Sequence, residues 1–161
     1  MEKKIGVILC IFIIACLSTN GQSSYAEEVD AIQAVFGKEK KQLVTDLIKL
    51  TPEEAEKFWP VYDSYEVERK KLGKQRIDML ESLADAYKEM TPAKADLVSK
   101  QTIKLAKETD ELLEKYHAKV RSAVNGTVAF EFLQAEIYIV TAVRAALMDK
   151  IPMYSTIKDS K

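Results

Sequence analysis

The sequence predicts an all-α protein: an elongated four-helix chain with long, kinked helices. Three observations carry this. Only 5 Gly and 4 Pro stand among 161 residues, and 30% of the chain is charged, a composition poor in turn-formers and suited to helices. Apolar residues recur at three- and four-residue spacing over long stretches. No stretch alternates apolar and polar residues with the period of two that marks a half-buried strand.

The first 26 residues stand apart from the fold. A charged start, "MEKK", leads into the apolar run "IGVILCIFIIACL", 13 residues long and short of the about 20 needed to span a bilayer. The polar stretch "STNGQSSYA" follows. Small residues at Ser24 and Ala26 fit signal-peptidase cleavage after Ala26. The expectation is a signal peptide over 1–26 and a single helical domain over 27–161, exported to the periplasm. A second exit stays open: "IIAC" at 13–16 resembles a bacterial lipobox, which would lipidate Cys16 and anchor the chain to a membrane. Cys10 and Cys16 are the only cysteines and both lie in this segment. The domain therefore has no disulfide and no thiolate metal site. Losing Glu2, Lys3 and Lys4 takes the net charge from −1 to −2, so no global field draws in nucleic acid.

The first helix is expected over 28–49, on Val29, Ile32, Val35, Phe36, Leu43 and Leu47, with Gly37 and the run "KEKK" weakening its middle. The second is expected over 52–89, on Phe58, Trp59, Tyr62, Tyr65, Leu72, Leu80, Leu83 and Tyr87. Such a helix is about 55 Å long, more than one compact core covers. Pro60, past its first turn, clashes with the carbonyl of Glu56 and predicts a kink. Gly73 is a second soft point. A third helix follows "MTP" and spans 92–124, on Leu97, Leu105, Leu112, Tyr116 and Val120. "NG" at 125–126 stops it. The fourth spans 128–150 and is apolar around much of its circumference, which predicts a central, mostly buried helix. Glu131, Glu136 and Arg144 argue against its crossing a membrane. Pro152 ends it.

The start of the second helix, "LTPEE", is a complete capping signal. Thr51 can accept from a free N–H of the first turn. Pro52 at the first helical position lacks only a donor that would have no partner. Glu53 and Glu54 meet the positive end of the helix dipole. Glu54, three residues after Thr51, can reach back to the Thr51 N–H as in a capping box. Leu50 can pack on the first turn. A shift of 74 residues sets Leu50 on Val124, Ala55 on Ala129, Phe58 on Phe132 and Trp59 on Leu133, with Asn125 where Thr51 stands. The apolar skeleton of the stretch thus recurs without its polar letters.

Leu-Thr-x-x-Glu before a long helix, in an exported, cysteine-free helical chain, resembles the Spy/CpxP family, whose members carry an LTxxQ motif at a helix start. Glu54 departs from the family's Gln but can fill the same capping role. The resemblance is strongest over 50–72. It implies a periplasmic homodimer shaped as a cradle, acting on unfolded or envelope polypeptides as an ATP-independent chaperone or an accessory of envelope-stress signalling. The alternative is a structural or regulatory adaptor of an envelope sensor or complex, anchored through Cys16.

Residues for catalysis are lacking. His117 is the only histidine, and neither a zinc site nor a Ser-His-Asp arrangement can be built around it alone. No cofactor and no catalytic residue is expected. The sharper expectation concerns Phe58, Trp59, Tyr62, Tyr65 and Tyr87, which share one helix. Some of them are core, and some are candidates for a client-binding or dimer surface.

Overall fold

The computed structural model describes residues 38–158. Residues 1–26, with Cys16, lie outside the described residues, as does the first part of the first expected helix, residues 28–37. Among the described residues the chain is all helical, with no strand. Its elements are α1 (Lys40–Leu47), α2 (Pro52–Lys88), α3 (Pro92–Ala123), α4 (Gly126–Met148) and the short α5 (Tyr154–Lys158).

The capping chemistry sets the helix starts. Glu54 N–H donates to Thr51 Oγ1 at 3.3 Å, and Thr51 N–H donates to Glu54 Oε2 at 3.0 Å, so two otherwise unpaired donors are satisfied reciprocally. Thr91 caps α3 by accepting from Lys94 N–H at 3.2 Å. Lys94 cannot reach back as an acceptor; its Nζ donates instead to the Glu89 carbonyl at the end of α2, at 3.0 Å. Asn125 caps α4, its Oδ1 accepting from Val128 N–H at 2.9 Å. The "NG" pair therefore does more than stop α3: Asn125 is the cap and Gly126 is already helical. α2 is unbroken through both Pro60 and Gly73. Pro60 and Glu56 are both exposed, so the carbonyl that loses its donor sits on the solvent side of the helix.

α2 and α3 form a long antiparallel hairpin. Lys115 and Tyr116 of α3 both donate to Glu68, at 2.7 and 2.8 Å. Farther along, Arg76 donates to Thr109 Oγ1 at 3.2 Å. α4 runs parallel to α2 from a shared start. Asn125 Nδ2 donates to Glu54 Oε1 at 2.9 Å, the Phe58 and Phe132 rings lie 6.3 Å apart, and Tyr62 donates to Glu136 at 3.1 Å. The core fills the space between, with Val44 from α1, Phe58, Tyr62 and Tyr65 from α2, Tyr116 and Val120 from α3, and Phe132 and Ile139 from α4.

The fourth helix departs from its expectation. α4 buries one face, through Val128, Phe132, Ala135, Glu136, Ile139 and Val143. The opposite face is exposed, with Phe130 at 56%, Ile137 at 50% and Tyr138 at 56%. The neighbouring helices cover one side of α4 and nothing among the described residues covers the other. By length and composition α4 could cross a membrane, but its inward face is that of a core helix holding a buried carboxylate.

Candidate functional site

Two features of the fold bear on function: a sealed polar cluster that sets how the helices lie, and the apolar face that α4 turns outward. The cluster is built on Glu136, a fully buried carboxylate. It accepts from Lys40 Nζ at 2.8 Å, from Tyr65 OH at 2.7 Å and from Tyr62 OH at 3.1 Å. Lys40 also donates to Glu66 at 2.6 Å. Arg69 grips Glu66 with two donors, Nε at 2.7 Å and Nη2 at 3.2 Å, the bidentate geometry favoured between guanidinium and carboxylate. Lys40 Nζ also lies 5.1 Å from the centroid of the Tyr65 ring, within cation–π range.

Two cations thus face two carboxylates in a site with little water. Burial pushes the Glu66 carboxyl up, but Lys40 and Arg69 outweigh it and hold the group down at about 2. Burial, reinforced by the negative charge of Glu136, pushes the Tyr62 and Tyr65 hydroxyls well above the usual phenol range. Both stay protonated and act as donors. Glu136 itself is fully buried. The arrangement ties α1 to α2 and α4. Among the described residues no group of three or more His, Cys, Asp or Glu is placed to hold a metal ion.

The aromatics divide clearly. Phe58, Tyr62 and Tyr65 are at 0–1% exposure in the core of this chain, where each packs on Phe132 with ring centroids 5.2–6.4 Å apart. They form no surface for a client. Trp59 is half-buried, edge-on to Phe58 and Tyr62, and Lys41 Nζ sits 4.9 Å from its ring centroid. Tyr87 is half-buried near the hairpin tip, its ring 5.5 Å from that of Tyr154. Leu50 packs against the core. Thr51, Pro52 and Glu53 are exposed and Glu54 half-exposed. Hydrogen bonds from Thr51 and Asn125 lower the Glu54 pKa, so its carboxylate stays charged across the ordinary pH range.

α4 carries an exposed, largely apolar face. Phe130, Gln134, Ile137, Tyr138, Thr141 and Ala145 fall on one helical face and are all exposed. No charge interrupts this stripe. Sequence reading missed both features. The signal for the first was Glu136 itself: a carboxylate four residues after Phe132 and three before Ile139, on the face read as core. The signal for the second was the sheer apolarity of α4, more than its neighbours can bury. Comparison with protein-family models, curated proteins and solved structures finds no match.

Proposed function

We propose that this chain is an exported, ATP-independent polypeptide-binding protein, chaperone-like or an accessory of envelope-stress signalling, as the likeness of "LTPEE" and its helix to the Spy/CpxP pattern implies. The observation that carries the reading is the uncharged stripe on α4. Contiguous exposed apolar surface on a soluble domain marks an interaction site. Its occupant in this reading is the apolar side-chain set of a non-native polypeptide. Phe130, Ile137 and Tyr138 supply area, while Gln134 and Thr141 between them keep the contact weak enough to reverse. The working surface belongs to α4, and the α2 aromatics serve as its frame. A second copy of the chain could pair on part of the same stripe, giving the homodimer of the cradle reading.

The test is suppression of aggregation of a chemically denatured protein without ATP. The wild type should suppress it, and Phe130→Ser/Ile137→Lys should suppress it several-fold less at unchanged helicity. A stripe variant that works as well as wild type, or a wild type without effect at tenfold excess, would sink the reading. The anchored-adaptor alternative rests on Cys16. Intact mass of the membrane fraction separates it, since lipidation leaves an acylated Cys16 at the N-terminus.

A further inference from the structure

A cleft opens where α2, α3 and the C-terminal part of α4 meet. Its volume is about 170 Å³. Met79 and Leu80 of α2, Leu105 of α3 and Leu147 of α4 form apolar walls, and the side chains of Arg76 and Arg144 also line it. No acid does. Arg76 donates to Thr109 at the far side. Arg144 differs: its Nη2 is buried and has no hydrogen-bond partner among the described residues. Arg144 as a whole is half-buried, but buried donors almost always find an acceptor, and a buried N–H without one is destabilising until an acceptor arrives.

What would supply it is constrained by the walls. An anion is favoured, because two guanidinium groups line the cleft and no carboxylate of the chain does. A planar carboxylate matches the guanidinium fork. The remaining surface is apolar, so the rest of the ligand must be apolar too. The volume is close to the about 150 Å³ of a closed cavity that takes up benzene, and because this cleft is open a short alkyl chain fits with its end toward solvent.

We propose that this cleft binds a small amphiphilic monocarboxylate, a short- to medium-chain fatty acid, with its carboxylate on Arg144 and its alkyl chain between Met79, Leu80, Leu105 and Leu147. The apolar walls of the cleft lie away from the α4 stripe, with Leu147 buried, while Arg144 stands at the edge of that stripe, two turns beyond Ile137. The site does not depend on polypeptide binding.

Isothermal titration of the purified protein with sodium octanoate, below its micelle-forming concentration, tests this. Octanol keeps the chain and lacks the charge; propionate keeps the charge and lacks most of the chain. Octanoate should bind about tenfold or more tightly than either. Arg144→Gln should weaken octanoate about tenfold and leave octanol unchanged. Arg144→Lys, which keeps the charge without the fork, should fall between. Ala106 of α3 also lines the cleft, and Ala106→Leu, which fills it, should weaken both octanoate and octanol, with thermal melting confirming that each variant folds. Equal binding of octanoate and octanol, octanoate binding indifferent to Arg144→Gln, or no heat with octanoate into the millimolar range would each overturn the proposal.

Discussion

Replacing Glu136 by Leu tests the core where it is most sensitive. The two side chains are similar in size, so the change removes a charge and little volume. Three donors lose their acceptor: Lys40 Nζ, Tyr62 OH and Tyr65 OH. Lys40 keeps Glu66, which limits the damage at the cation. The hydroxyls, in residues at 1% exposure, gain no water in exchange. A buried group left without its partner costs about 1–3 kcal/mol, and breaking a buried ion pair from one side costs about 3–5 kcal/mol. The expectation is a loss of about 3–5 kcal/mol, a large part of the about 5–15 kcal/mol that holds a domain together. Lys40→Met should also destabilise, because it leaves Glu136 with hydroxyls alone and no cation. The double variant Lys40→Met/Glu136→Leu should lose less than the sum of the two, since no buried charge remains at that contact. Urea unfolding followed by fluorescence of Trp59, the only tryptophan, reads all three. Trp59 packs on Phe58 and Tyr62 and reports on the core directly. A Glu136→Leu variant as stable as wild type, or single effects that simply add, would refute the cluster.

Two further predictions concern titration and capping. The Glu66 carboxyl, held at about 2 in the fold against 4.5 for the free group, gives stability that is fully present above pH 4.5 and lost as pH falls toward 2, on the order of 3 kcal/mol; urea midpoints should drop through that window in wild type and much less in Glu66→Gln, and parallel curves would refute the assignment. Thr51→Ala should cost about 1 kcal/mol, and Glu54→Gln less than about 1 kcal/mol because it keeps one of two acceptors, while Glu54→Lys should cost more through the dipole; equal losses for Gln and Lys in thermal melts would show that capping is not what Glu54 contributes.

Local chemistry made much of the fold legible. Thr51-Pro52 and Thr91-Pro92 announce helix starts within four residues, and α2 and α3 begin at those prolines. The start of α4 was read two residues late because Asn-Gly is a breaker and a cap at once, and only the Val128 N–H distinguishes the roles. "KEKK" read as a weak middle of the first helix. Its Lys40 goes inward because Glu66 and Glu136, 26 and 96 residues away, are there to meet it. No local pattern encodes such a pairing. The aromatic stripe was legible as a stripe. Which way it faced depended on Phe132 and Tyr116 arriving from other helices, and both arrive at Tyr65.

The same cluster decides which side of α4 meets solvent, and this can be tested. Hydrophobicity alone would hardly choose, because Phe130, Ile137 and Tyr138 could fill a core as well as Phe132, Ile139 and Val143. Turning α4 by half a revolution would bury the first set and put Glu136 in water. It would also leave two buried hydroxyls without their acceptor and the Lys40 ammonium with Glu66 alone, a penalty the apolar exchange does not offset. Buried polar groups can specify one arrangement among near-equals in this way, and the hypothesis here is that Glu136 does so for α4. The quadruple variant Lys40→Met/Tyr62→Phe/Tyr65→Phe/Glu136→Leu removes the penalty and leaves an apolar core. It should stay helical but lose the unique setting of α4, broadening or doubling the amide resonances of 126–148 in a proton–nitrogen correlation spectrum. One sharp set of resonances at wild-type positions would show that packing alone orients α4, and that the exposed stripe owes nothing to the buried carboxylate.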